Sequence, residues 1–81
     1  MVEYVAVFFT HSGAIKYDKF LNGENIHSEL MPVPRKLSSN CGIGVKFSYE
    51  GDVSTLLCDD IEKLFKSTLP KEYSLVYEND Q

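Results

Sequence analysis

Hydrophobic and polar positions alternate in blocks along this chain, and each block predicts an element. Residues 2–9, VEYVAVFF, are β-branched and aromatic, which is the pattern of a buried strand. In THSGAIKYDKFL the apolar positions Ala14, Tyr17, Phe20 and Leu21 recur at helical spacing. Thr10 or Ser12 is placed to cap that helix, and Gly23 suits a left-handed residue just past its end. Residues 25–33, NIHSELMPV, alternate again and predict a second strand ending near Pro32. A third strand is predicted for IGVKFSY, with Ile43, Val45, Phe47 and Tyr49 on one side.

After the turn EGD, Asp52 is placed to cap a second helix over 53–67. Its stripe is Val53, Leu56, Leu57, Ile61, Leu64 and Phe65, the strongest helical periodicity in the chain. LPKE then turns into a last strand, Tyr73 to Tyr77. The order strand, helix, strand, strand, helix, strand predicts an α+β domain of ferredoxin-like βαββαβ type. It would have a four-stranded antiparallel sheet, the first and third strands central, and two helices on one face.

Length fits a single domain over residues 1–81. The net charge of −4 and the pI near 5.0 argue against nucleic acid as a partner. The N-terminus lacks the basic and small-residue features of a signal peptide, and no apolar run is long enough for a membrane span. The two cysteines, Cys41 and Cys58, are too few for a disulfide scaffold, so a cytoplasmic location with reduced thiols is expected. There is no CxxC, no HxxxH, no phosphate-binding glycine motif and no carboxylate pair, so neither a metal nor a cofactor is expected.

The densest run of special residues is Pro32 to Gly44, PVPRKLSSNCGIG. The predicted topology brings the end of the first strand, the start of the first helix and this loop to one edge of the sheet. His11 and Ser12 would then lie near Cys41 and Gly42. A thiol reacts as thiolate, and positive potential lowers its pKa. Three sources are available: the free N–H groups at the helix start, the pair Arg35–Lys36, and His11. Ser38 and Ser39 offer hydroxyl donors, Gly42 permits close approach, and the prolines restrict the loop. The competing reading of Cys41 is a small buried hydrophobe at a strand start. Cys58, next to Asp59 and Asp60, reads as structural.

MPVPRKLSSNCGIGVKF resembles the signature segment of a small bacterial selenium/sulfur carrier protein-like family. The matching positions are Pro32, Val33, Pro34, Arg35, Leu37, Ser38, Ser39, Cys41 and Gly42. FFTHSGAIK resembles the family's first strand and helix start. The resemblance implies that Cys41 carries sulfur or selenium as a persulfide or selenopersulfide. It also implies a cysteine desulfurase-type donor and an acceptor protein as partners. No second cysteine lies near Cys41 to form a relay, and a CPxP segment is missing.

Two other classes of function stay open at this level. One is a binding or regulatory module that dimerises or docks a partner through its open sheet face, with Tyr4, Phe8 and Tyr73, or the residues alternating with them, facing away from the helices. The other is a thiol enzyme with a Cys41–His11 pair.

Overall fold

The structure is a computed structural model and describes residues 2–33, 37, 42–69 and 72–79. β1 (Val2–Phe8) leads into α1 (His11–Gly23). β2 (Ser28–Pro32) and β3 (Ile43–Tyr49) follow, then a 3-10 turn at Val53–Leu56, β4 (Ile61–Leu69) and β5 (Glu72–Glu78). The five strands form one sheet in the order β2-β3-β1-β4-β5, with every neighbouring pair antiparallel.

β1 is central because both of its faces are apolar. Tyr4, Ala6 and Phe8 point to one side and join Val45, Phe47, Ile61 and Leu64. From α1, Ala14, Tyr17 and Leu21 close that core. Val5 and Val7 point to the opposite side, where Leu37 covers them. A strand buried on both faces reads as a continuous apolar run, as VEYVAVFF does.

α1 starts where the Thr10 hydroxyl accepts the Gly13 N–H at 3.1 Å, so Thr10 is the cap and Ser12 lies inside the first turn. Gly23 is the last helical residue. The left-handed position falls instead on Asn25, with φ of 62°. Asparagine tolerates this region better than most residues with a Cβ.

The predicted helix over 53–67 is not formed. Asp52 does cap: its carboxylate accepts from the Ser54 N–H at 3.0 Å and from the Ser54 hydroxyl at 2.7 Å. The element nonetheless ends after one 3-10 turn, and Leu57 is already extended. Val53, Ser54 and Thr55 are poor helix formers, so little favours propagation.

Residues 61–69 are a strand. Phe8 lies opposite Ile61, but Val7 lies opposite Lys63, so Glu62 is an extra residue in β4. This bulge turns Ile61 and Leu64, three positions apart, to the same face. The three-residue spacing that resembles a helical stripe therefore comes from a bulged strand. The fold is α+β, with one α-helix among the described residues and five strands. The expected last strand, Tyr73 to Tyr77, lies within β5, and the strand beyond the four expected is β4, which replaces most of the second helix.

β3 and β4 both run antiparallel to β1, so they are parallel to each other with β1 between them. The segment joining them crosses on the α1 side, because Leu56 and Leu57 pack into that core. The Tyr17 hydroxyl fixes the crossing by donating to the Leu56 carbonyl at 2.9 Å. β1 to β4 thus keep the strand order of a split βαβ arrangement, with a 3-10 turn in place of the second helix.

Candidate functional site

The site is built at the edge where β1 ends and β3 begins. Val7 lies opposite Gly44, Met31 opposite Gly44 from the other side, and Pro32 opposite Ile43. Beyond that last pair, the Val33 N–H donates to the Gly42 carbonyl at 3.0 Å. This bond closes the base of the segment 34–41.

Two glycines meet two different needs there. Gly42 is exposed, with φ of +73°, a conformation that favours glycine over any residue with a Cβ. Gly44 is buried, and a Cβ there would stand 2.7 Å from the Ala6 carbonyl oxygen. Glycine is what lets β3 approach β1 at the root of the loop.

Of the predicted site residues, Gly42, His11 and Ser12 fall in the described structure, and all three are exposed. His11 opens α1, and the Ser12 hydroxyl lies 3.3 Å from that of Thr10. β1 runs into this helix start, and β3 begins beside the same end of β1, where Val7 pairs with Gly44. Cys41, Arg35, Ser38 and Ser39 lie outside the described residues, as does Lys36.

Leu37, in the middle of the segment, is buried on Val5 and Val7, with Met31, Val33, Phe65 and Tyr73 packed around that cluster. α1 lies on the opposite face of the sheet. The helix-free face is therefore partly covered by Leu37. Tyr4 and Phe8 face α1 rather than away from it, whereas Tyr73 belongs to the helix-free side. The sequence signal for Leu37 was its position as the lone aliphatic side chain between Pro34 and Asn40.

Cys58 sits differently from its sequence neighbourhood. It is half-buried against the α1-side core and lines a cleft of about 590 Å³ with Lys16, Tyr17, Phe20 and Leu57. The Lys16 ammonium is 3.0 Å from the Asp60 carboxylate. That hydrogen bond, followed by the charge of Asp60, raises the Lys16 pKa. Burial, followed by the charge of Cys58, raises the Tyr17 pKa above its ordinary range. Among the described residues no three His, Cys, Asp or Glu side chains gather as metal ligands. No described helix is long and apolar enough to cross a membrane.

Most of the chain matches a known family. The model described as "Putative Se/S carrier protein-like" matches residues 3–68. The chain belongs to that family. No curated protein and no solved structure matches it. The Se/S carrier-like match spans β1 through most of β4, the part that keeps the split βαβ strand order, and β5 lies beyond it.

Proposed function

We propose that this Se/S carrier-like protein holds sulfur or selenium on Cys41, as a persulfide or selenopersulfide, and passes it to an acceptor protein. The family match carries the reading. The loop root supports it: Cys41 directly precedes an exposed left-handed glycine whose carbonyl is bonded to Val33. Arg35, Ser38, Ser39 and the helix-start residues His11 and Ser12 are the supporting groups of this reading.

Loading needs no external oxidant. The Cys41 thiolate attacks the outer sulfur of a persulfide on a cysteine desulfurase-type donor. Its electron pair makes the new S–S bond, the donor's S–S bond breaks, and that pair leaves on the donor thiolate. Transfer to the acceptor repeats the exchange in the other direction. A selenopersulfide follows the same balance with selenium as the outer atom. The donor supplies the chemistry, so the protein acts as a carrier more than as a stand-alone enzyme. It works in the cytoplasm, where both thiols stay reduced. The fold is read as ferredoxin-like, with the second helix reduced to a 3-10 turn.

The test is to incubate the protein with a cysteine desulfurase and cysteine or selenocysteine, then weigh it intact. A gain of one sulfur or selenium atom, mapped to Cys41 and lost in Cys41→Ser, is expected. If Cys41 alkylates readily but takes up neither element, the carrier reading fails.

One observation favours a second reading, a binding module that self-associates without chemistry at Cys41. Leu75 lies opposite Phe65 on the helix-free face and is 50% exposed. Val76 beside it on the same edge strand is 47% exposed.

A further inference from the structure

We propose that the cleft between α1 and the crossover from β3 to β4 is a binding site for a small cationic molecule with an aromatic or other apolar body, of the arylalkylamine class. It lies on the α1 side of the sheet, opposite the face that Leu37 covers, and does not depend on the reading of Cys41.

The cleft exists because the crossover lacks a helix. In a split βαβ arrangement a second helix packs beside the first on the same face of the sheet. Here the chain makes one 3-10 turn, Val53–Leu56, and Leu57 is already extended. Lys16 and Phe20, four residues apart, share one flank of α1. That flank has no helical neighbour among the described residues, and Phe20 is 46% exposed. The space left is about 590 Å³. Small-molecule pockets run from roughly 300 to 1,000 Å³ and combine an apolar wall with a few polar groups.

The wall is apolar. Tyr17, Phe20, Leu56 and Leu57 line it, and the ring centroids of Tyr17 and Phe20 are 6.0 Å apart. The Tyr17 hydroxyl already donates to the Leu56 carbonyl, so Tyr17 offers ring surface rather than a free donor. Burial drives an apolar body onto such a wall, and aromatic faces also attract cations.

The rim sets the charge. Two carboxylates, Asp59 and Asp60, line the cleft against one ammonium, Lys16. Lys16 is 3.0 Å from Asp60, and each offsets the other. Asp59 is exposed and decides the remaining sign, to which the chain's net charge of −4 adds. A cation is thus favoured over a neutral molecule, and an anion is disfavoured. An exposed carboxylate acts weakly through water, so the apolar wall supplies most of the affinity and Asp59 the preference.

The experiment titrates the isotope-labelled full chain at neutral pH and follows its amide resonances. The probes are phenethylamine, phenethyl alcohol as its neutral counterpart and 3-phenylpropionate as the anion. Saturable shifts at 16–20 and 56–60 are expected for the amine, at higher concentration for the alcohol, and highest for the carboxylate. Occupancy by the amine should also slow iodoacetamide alkylation of Cys58, which lines the cleft.

Lys16, Phe20 and Asp59 are exposed, so substitutions there spare the core. Phe20→Ala should weaken both the amine and the alcohol several-fold. Asp59→Asn should weaken the amine several-fold and leave the alcohol unchanged. Lys16→Gln leaves Asp60 without its cation and should tighten the amine several-fold. The proposal is overturned by the lack of a saturable shift with the amine, by equal affinity for all three probes, or by weaker amine binding in Lys16→Gln. It also falls if the same resonances follow protein concentration instead of added amine, which would make the cleft a contact between copies.

Discussion

Val33 and Gly42 are joined by one backbone hydrogen bond of 3.0 Å, just beyond the last pair of the β2–β3 ladder. Everything below it is strand ladder: Pro32 opposite Ile43, then Met31 opposite Gly44. In sequence, Cys41 immediately precedes Gly42.

Cys41 is expected to be the reactive thiol of the pair. Alkylation followed by peptide mapping should modify Cys41 faster than Cys58, with the Cys41 rate titrating below the ordinary cysteine value of about 8.5. Arg35→Ala should slow the Cys41 reaction near neutral pH. Faster modification of Cys58, which lines the cleft beside Lys16, would sink the electrostatic argument.

Gly44→Ala should weaken the loop root. The new Cβ would stand 2.7 Å from the Ala6 carbonyl oxygen, backbone that cannot move without disturbing β1. Overpacking of this kind costs roughly 1–3 kcal/mol, readable as a lower urea midpoint. Gly42→Ala, where no atom crowds the new Cβ, should lose less and only through its left-handed φ.

Leu64→Ala should cost about 2–5 kcal/mol, because Leu64 is fully buried under α1. Amide exchange over 63–67 should show the protection pattern of a strand paired on both sides, with β1 and β5. Uniform helical protection there would contradict the bulged strand.

Tyr17 makes stability fall in alkali. Its folded pKa is raised by burial, so above its unfolded value, about 10, the unfolded chain loses the proton while the folded one keeps it. The contribution is fully present below that pH and is lost as pH rises beyond it. Tyr17→Phe removes the bond to the Leu56 carbonyl, costing about 1 kcal/mol near neutrality. The variant should also show a shallower loss of stability above pH ~10 in urea titrations.

Leu75→Lys tests self-association. If the helix-free face brings two copies together, the parent protein should sediment with concentration-dependent mass and the variant as a monomer. A parent protein that stays monomeric at high concentration ends that reading.

The first half of the fold is legible because local pattern and tertiary role agree there. VEYVAVFF is apolar at both parities and does lie buried on both faces. Thr10 caps as its side chain permits, and Val45 and Phe47 alternate toward α1. The second half misleads because one residue, Glu62, is inserted into β4. With it, Ile61 and Leu64 share a face at a spacing that a helix would also produce, and single-strand periodicity cannot separate the two. The site was legible as a composition: Cys41, Gly42 and their polar neighbours stand out in the chain. What pattern could not supply was the docking of Leu37, since its partners Val5, Val7 and Phe65 are distant in sequence and meet it only through the sheet.

The placement of β1 between β3 and β4 has a consequence for how the chain comes to be folded. β1 is the first strand to be made, yet Val5 waits for Lys46 on one side and for Phe65, near the far end of the chain, on the other. Such remote pairings make folding slow for a chain of this size, since loop closure must precede any gain from the contacts. Until β4 has been synthesised, the most apolar segment of the protein has an open edge. A nascent or truncated chain lacking residues 61–69 would therefore be prone to aggregate through VEYVAVFF.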